Sequence, residues 1–127
     1  MTPVPGIALS GLVAATTALT ASASNLANAG DTAKVGAKPA YNPRAVHDTS
    51  APGGGVVATV VTLKPGQMLA FDPTSAMANA QGLVQAPEID PVSEISNQIA
   101  AGHAFAFSLE ALKAADDEQK TLLDLKT

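Results

Sequence analysis

A mainly helical α+β fold, with two long terminal helices paired as an antiparallel coiled coil, follows from three features of this 127-residue chain. The opening stretch has heptad-spaced apolar residues and no charged side chain before Asp31. Beyond Asp90 and Pro91 no proline interrupts the chain, and the segment between holds six of the nine Pro and most of the Gly. The predicted divisions are residues 1–30, 31–90 and 91–127, which together make one structural unit of a size that suits a single domain.

Pro5 to Asn28 reads as the first helix, with Pro5 in its first turn and Gly30 just past its end. Leu9, Leu12, Thr16, Leu19, Ala23 and Leu26 recur at 3-4-3-4-3 spacing, the heptad seam that packs one helix along another. A solvated helix carries charge opposite its seam. This one offers only Ala, Ser, Thr, Asn, Gly and Val there, so it expects protein on several sides.

The second helix starts with Asp90 as N-cap and Pro91 in its first position. Its first half has Glu94 as the one carboxylate before Leu109, and Ile95, Ile99, Ala106 and Leu109 form the predicted seam around Gly102. Its second half turns polar: Glu110 with Lys113 and Asp116 with Lys120 are spaced for helical ion pairs, each contributing a few tenths of a kcal/mol.

Between the helices, loops surround a little β-structure. Val56–Leu63 is rich in β-branched residues and Met68–Phe71 is a short apolar run. Lys64-Pro65-Gly66-Gln67 between them suits a type II turn, so these two runs are expected to pair as a small hairpin. Gly53-Gly54-Gly55 lacks the Lys-Ser or Lys-Thr of a phosphate loop and reads as a flexible connection.

Composition narrows the function. The hydrophobic fraction is 46%, but aromatics are 3% and Trp is absent, so the apolar residues are mostly small. A net charge of -4 with seven scattered Lys and Arg offers no basic patch for phosphates, which argues against nucleic-acid binding. Without Cys there is no disulfide, thiolate site or cysteine nucleophile. His47 and His103 lie far apart, and Asp116, Asp117 and Glu118 point in different directions on a helix, so no metal site is expected. No nucleophile signature places Ser, His and acid together, and neither an enzyme nor a small-molecule substrate or cofactor is expected.

Ala8-Leu9-Ser10-Gly11-Leu12 followed by Ser22-Ala23-Ser24-Asn25-Leu26-Ala27-Asn28-Ala29 resembles the N-terminal signature of the flagellar rod and hook axial protein family. Ile99-Ala100-Ala101, Ala104-Phe105, Leu109 to Asp116 and Thr121 to Lys126 are similar to that family's C-terminal helix. Tyr41-Asn42-Pro43, Gly55 to Ala58, Phe71-Asp72-Pro73 and Gly82 to Asp90, with the short length, resemble its proximal-rod members. Asp31–Lys38 departs from the pattern, lacking the Thr-Pro-Gly that many relatives carry there.

The resemblance implies a structural subunit of the periplasmic rod, exported through the flagellar type III apparatus without a cleaved signal peptide. Its terminal helices would lie near the axis and transmit torque. The implied neighbours are other rod proteins and further copies of itself, with the adaptor between rod base and MS ring as a further candidate. The expected assembly residues are the two seams together with Asn25, Asn28, Leu112, Leu122 and Leu125. Two other readings stand beside it. Residues 7–29 could anchor a peripheral protein in a membrane, although eight hydroxyl and amide residues interrupt the stretch. A free monomeric binding module would instead need a charged outer helix face, which the first helix lacks.

Overall fold

The computed structural model describes residues 4–125. Helix α1 spans Val4–Ala27 and helix α2 spans Pro91–Asp124; between them lie strands β1 (Arg44–Ser50), β2 (Val56–Thr62), β3 (Gln67–Phe71) and β4 (Leu83–Pro87). The architecture is the expected one, two long helices flanking a small antiparallel β region.

Helix α2 begins where its cap residue dictates. The Asp90 carboxylate accepts from the Val92 amide at 3.1 Å, the Ser93 amide at 3.3 Å and the Ser93 hydroxyl at 2.6 Å. Donors that the first turn leaves without helical partners are thereby satisfied. The hydroxyl of Ser93, then the Val92 amide, hold the Asp90 carboxyl below the usual carboxylate range. At the end of α1, the Asn28 side chain donates back to the Ser24 carbonyl at 2.7 Å.

The helices pack antiparallel, but the seam is displaced by one residue from the expected line. On α1 the contact runs along Ala8, Gly11, Ala15, Ser22 and Asn25; on α2 it follows Glu94, Gln98, Ala101, Ser108, Leu112 and Ala115. Small side chains explain the shift, because interaxial distance is set by what stands at the contact. At Gly11 the approach is so close that a Cβ would stand 2.5 Å from Ser108 Oγ. The same closeness lets Ser22 Oγ donate to the Glu94 carbonyl at 2.8 Å. Leucines on that line would hold the backbones apart.

The β pairing also differs from expectation. Val56–Thr62 pairs with Arg44–Ser50, not with the run after Pro65, and Gln67–Phe71 pairs with Leu83–Pro87. Strands β1 and β2 are joined across residues 51–55 and β3 and β4 across residues 72–82, so the shortest connection, residues 63–66 between β2 and β3, joins the two hairpins instead of making one. The β1–β2 connection is the glycine triplet, which is an ordered turn rather than a flexible link. Gly53, Gly54 and Gly55 adopt φ of 95°, 103° and 92°, and Ala51 and Gly55 are joined by a 3.1 Å hydrogen bond. The segment that departs from the family pattern is tied down too: Ala33 pairs with Gln85, whose side chain accepts from the Gly36 amide at 3.2 Å.

One side chain ties helices and β region together. Asn25, 1% exposed, donates from Nδ2 to the Arg44 carbonyl and to Glu94 Oε1, both at 2.8 Å. Its Oδ1 accepts from the Tyr41 hydroxyl at 2.8 Å and the Arg44 amide at 2.9 Å. Among the described residues the buried apolar interior is Ala8, Ala14, Ala15, Ala21, Ala101, Ala115 and Val84, with Pro43 and Pro87.

Asn25→Asp replaces both donors with acceptors that face a carbonyl and a carboxylate. It is expected to destabilise the fold by about 2–4 kcal/mol, more than Asn25→Ala, as measured by denaturant unfolding. The Asp90 cap contributes above the ordinary carboxylate range and is lost as pH falls through its lowered pKa. Protection of the Val92 and Ser93 amides, taken relative to their intrinsic exchange rates at each pH, is therefore expected to fall once the pH drops below the ordinary carboxylate range, and Asp90→Asn, which caps without titrating, should remove that fall.

Candidate assembly interface

Each helix carries two parallel heptads. The inner ones pair α1 with α2 inside the subunit. The predicted seams, Leu9, Leu12, Thr16, Leu19, Ala23 and Leu26 on α1 and Ile95, Ile99, Ala106 and Leu109 on α2, each lie one position further along the chain. They lie beside the most buried line of each helix. Leu12, Leu19, Leu26 and Leu109 are half-buried, whereas Leu9, Thr16, Ala23, Ile95, Ile99 and Ala106 are exposed.

The remaining predicted residues divide. Leu112 lies on the inner line of α2 and is half-buried against the helix pair. Leu122 continues that line beyond the reach of α1, and with Leu125 it stands exposed, 61% and 78%. Asn25 is enclosed by the subunit's own hydrogen bonds, and Asn28 closes its own helix. Sequence reasoning missed Ser10, although the Gly-Gly-Gly run and the Ser in one family motif were its signals. Ser10 Oγ donates to the Ile7 carbonyl at 2.7 Å and accepts from the Val56 amide at 3.1 Å, pinning the β1–β2 turn onto α1. A Cβ on Gly55 would lie 2.4 Å from that oxygen.

The α1 surface is more apolar than its hydroxyl content suggests. Thr16, Thr17 and Thr20 each donate to the carbonyl four residues earlier, at 2.8 Å, so their hydroxyl hydrogens are satisfied within the helix. By length and composition α1 could cross a membrane, yet here Ser22 and Asn25 bind it to α2 and β1.

Charge appears where the second half of α2 begins. Lys113 pairs with Glu110 at 2.9 Å and Lys120 with Asp116 at 2.6 Å, both on exposed side chains, as the spacing predicts. The Asp116 hydrogen bond holds the Lys120 ammonium above its ordinary range. His103 stacks on Phe107 with ring centroids 6.3 Å apart, and among the described residues no three His, Cys, Asp or Glu side chains gather to hold a metal. Alanine packing leaves an open cleft of about 640 Å³ between α1, α2 and β1, with Ala14, Ala18, Ala100, Ala104 and Val46 on its walls.

No protein-family model matches the chain. It is 34% identical over 111 residues to the flagellar basal-body rod protein FlgC of Salmonella typhimurium, covering 84% of this chain and 83% of that one. The FlgC protein of Escherichia coli O6:H1 matches with the same identity and coverage. That of Buchnera aphidicola is 36% identical over 63 residues, 49% of this chain and 46% of its own. With a terminal-helix pair, a small β region between and this likeness along most of its length, the chain belongs to the FlgC family of flagellar basal-body rod proteins.

Proposed function

We propose that this chain is a subunit of the proximal part of the rod, co-assembling through its terminal helices into the periplasmic shaft that transmits torque. The observation that carries the reading is the inversion of its apolar residues. Among the described residues the buried apolar side chains are six alanines, Val84, Pro43 and Pro87, while Leu9, Val13, Ile95, Ile99, Phe107, Leu122 and Leu123 are exposed. Each large side chain covered by a neighbour contributes about 1.5–3 kcal/mol, so assembly completes a core that the single subunit lacks. Neighbouring subunits, rather than solvent, are the environment this surface suits.

Its neighbours on this reading are other rod proteins and further copies of the chain. Export on this reading proceeds through the flagellar type III apparatus. The subunit's work is mechanical, and no catalytic step is assigned to it.

Leu19→Asp or Leu109→Asp would place an unpaired charge in the assembled helix layer, at a cost on the order of several kcal/mol. Either variant is expected to be missing from basal bodies purified from cells in which this chain is the rod subunit. Lys120→Ala, which removes only an exposed ion pair, should be incorporated normally. Wild-type chain absent from purified basal bodies, or normal rods built from both aspartate variants, would overturn the reading.

A further inference from the structure

The β1–β2 hairpin stands between two gaps. On its α2 side lies the cleft of about 640 Å³, with Ala14, Ala18, Val46, Ala100 and Ala104 on its walls. On its other side a smaller gap of about 200 Å³ is lined by Thr16, Thr17, Thr20, Arg44 and Val60. The hairpin rests on α1 alone: among the described residues no Cα of either strand comes within 8 Å of a Cα in α2.

Polar anchors fasten the hairpin at its two ends. Asn25 holds Tyr41 and Arg44 at the open end, and the Ser10 hydroxyl accepts from the Val56 amide at the turn. Between these points no hydrogen bond joins the strands to α1 among the described residues. Ser10 and Asn25 are fifteen residues apart along the helix, roughly 22 Å. Two anchors on one helix define an axis. Rotation about it swings the hairpin toward or away from α2 while stretching neither anchor, which is a hinge movement.

The wider gap favours one direction. Alanine has no rotamer with which to reach across, so the methyl walls meet only if a wall moves as a body. Their meeting takes the remaining exposed surface of Ala18, Val46, Ala100 and Ala104 out of water, the favourable direction for apolar groups. The polar groups agree. Asp48 on β1 and Ser108 on α2 both line the cleft, and neither side chain is hydrogen-bonded among the described residues, so closure brings the carboxylate a hydroxyl donor. Arg44 and Glu94 lie at the hinge end, where the Tyr41 ring and Asn25 already hold them and movement is least.

We propose that the β1–β2 hairpin is a strap hinged on Ser10 and Asn25, which closes onto Ala100 and Ala104 of α2 and widens the gap over Thr16, Thr17 and Thr20. One movement exchanges which flank of α1 is covered. The device belongs to the single subunit and stands apart from the rod-subunit reading.

The chain has no Cys, so introduced pairs report without background. A disulfide needs its Cα atoms within about 7 Å, closer than any pair between β1 and α2 in the open form. Purified full-length chain carrying Val46→Cys with Ala100→Cys would be incubated with oxidised glutathione. The control is Thr59→Cys with Ala100→Cys, since Thr59 stands one residue from the cross-strand partner of Val46 and so on the outer face of the hairpin. The expected result is a disulfide within one 12.7 kDa chain, formed roughly tenfold faster or more than in the control, with helix content by circular dichroism unchanged. Equal rates in the two pairs, or no disulfide in either, would overturn the strap. A disulfide-linked product of twice the chain mass in place of the internal one would overturn it as well, and would give the cleft to a second copy. If Val46→Cys prevents folding, Asp48→Cys with Ala104→Cys reads the same closure.

Discussion

A carboxamide that is 1% exposed must place two donors and an acceptor inside the protein, and Asn25 finds its partners on three segments of chain at once. Those contacts fix where α2 begins relative to the end of α1, and where the chain turns from Tyr41 into β1. Apolar contacts between alanines could slide with little loss, because methyl groups meet in many equivalent registers. Directional hydrogen bonds remove that freedom. Ser22 on the Glu94 carbonyl and Ser10 on the Val56 amide repeat the device along α1, so polar groups set the register and alanines merely permit the approach.

Both ends of α1 and the start of α2 were legible to within a residue because their signals are local: Pro5, Asp90 and Pro91 punctuate them, and the ion pairs of α2 follow from spacing alone. Helix α2 itself ends at Asp124, short of the expected end at 127, and residues 126–127 lie outside the described ones. The most buried line of each helix is not the one its large apolar residues mark, because periodicity locates apolar faces but does not rank them. Reading the leucines as the internal contact assumed that the largest side chains lie nearest the partner, whereas Gly11 and Ala15 sit nearest here. Strand β1 was overlooked because Arg44-Ala45-Val46-His47-Asp48-Thr49-Ser50 mixes polar and apolar residues without alternation, and its role is settled by β2 and the turn between them. The Gly-Gly-Gly run looked like slack for the same reason: positive φ is a property of the fold that composition does not print.

The residues that carry the family likeness have different physical parts in the subunit. Ser24 and Asn25 of the N-terminal motif and Tyr41 of the Tyr-Asn-Pro motif meet in the internal lock, as does Glu94 at the head of α2. The leucines interleaved with them stay at the surface or its margin. A single short motif therefore encodes both the geometry of the isolated subunit and the surface it presents, on alternate faces of one helix. Substitutions within it will have effects that differ in kind between neighbouring positions.

Helices of 24 and 34 residues cannot end together at both ends of an antiparallel pair. Past Ala115 every described residue of α2 is exposed, a tail of about ten residues or roughly 15 Å with no α1 beside it. The helix pair therefore ends in a step at the α2 side, so the subunit offers a single unpaired helix there and not a blunt two-helix end.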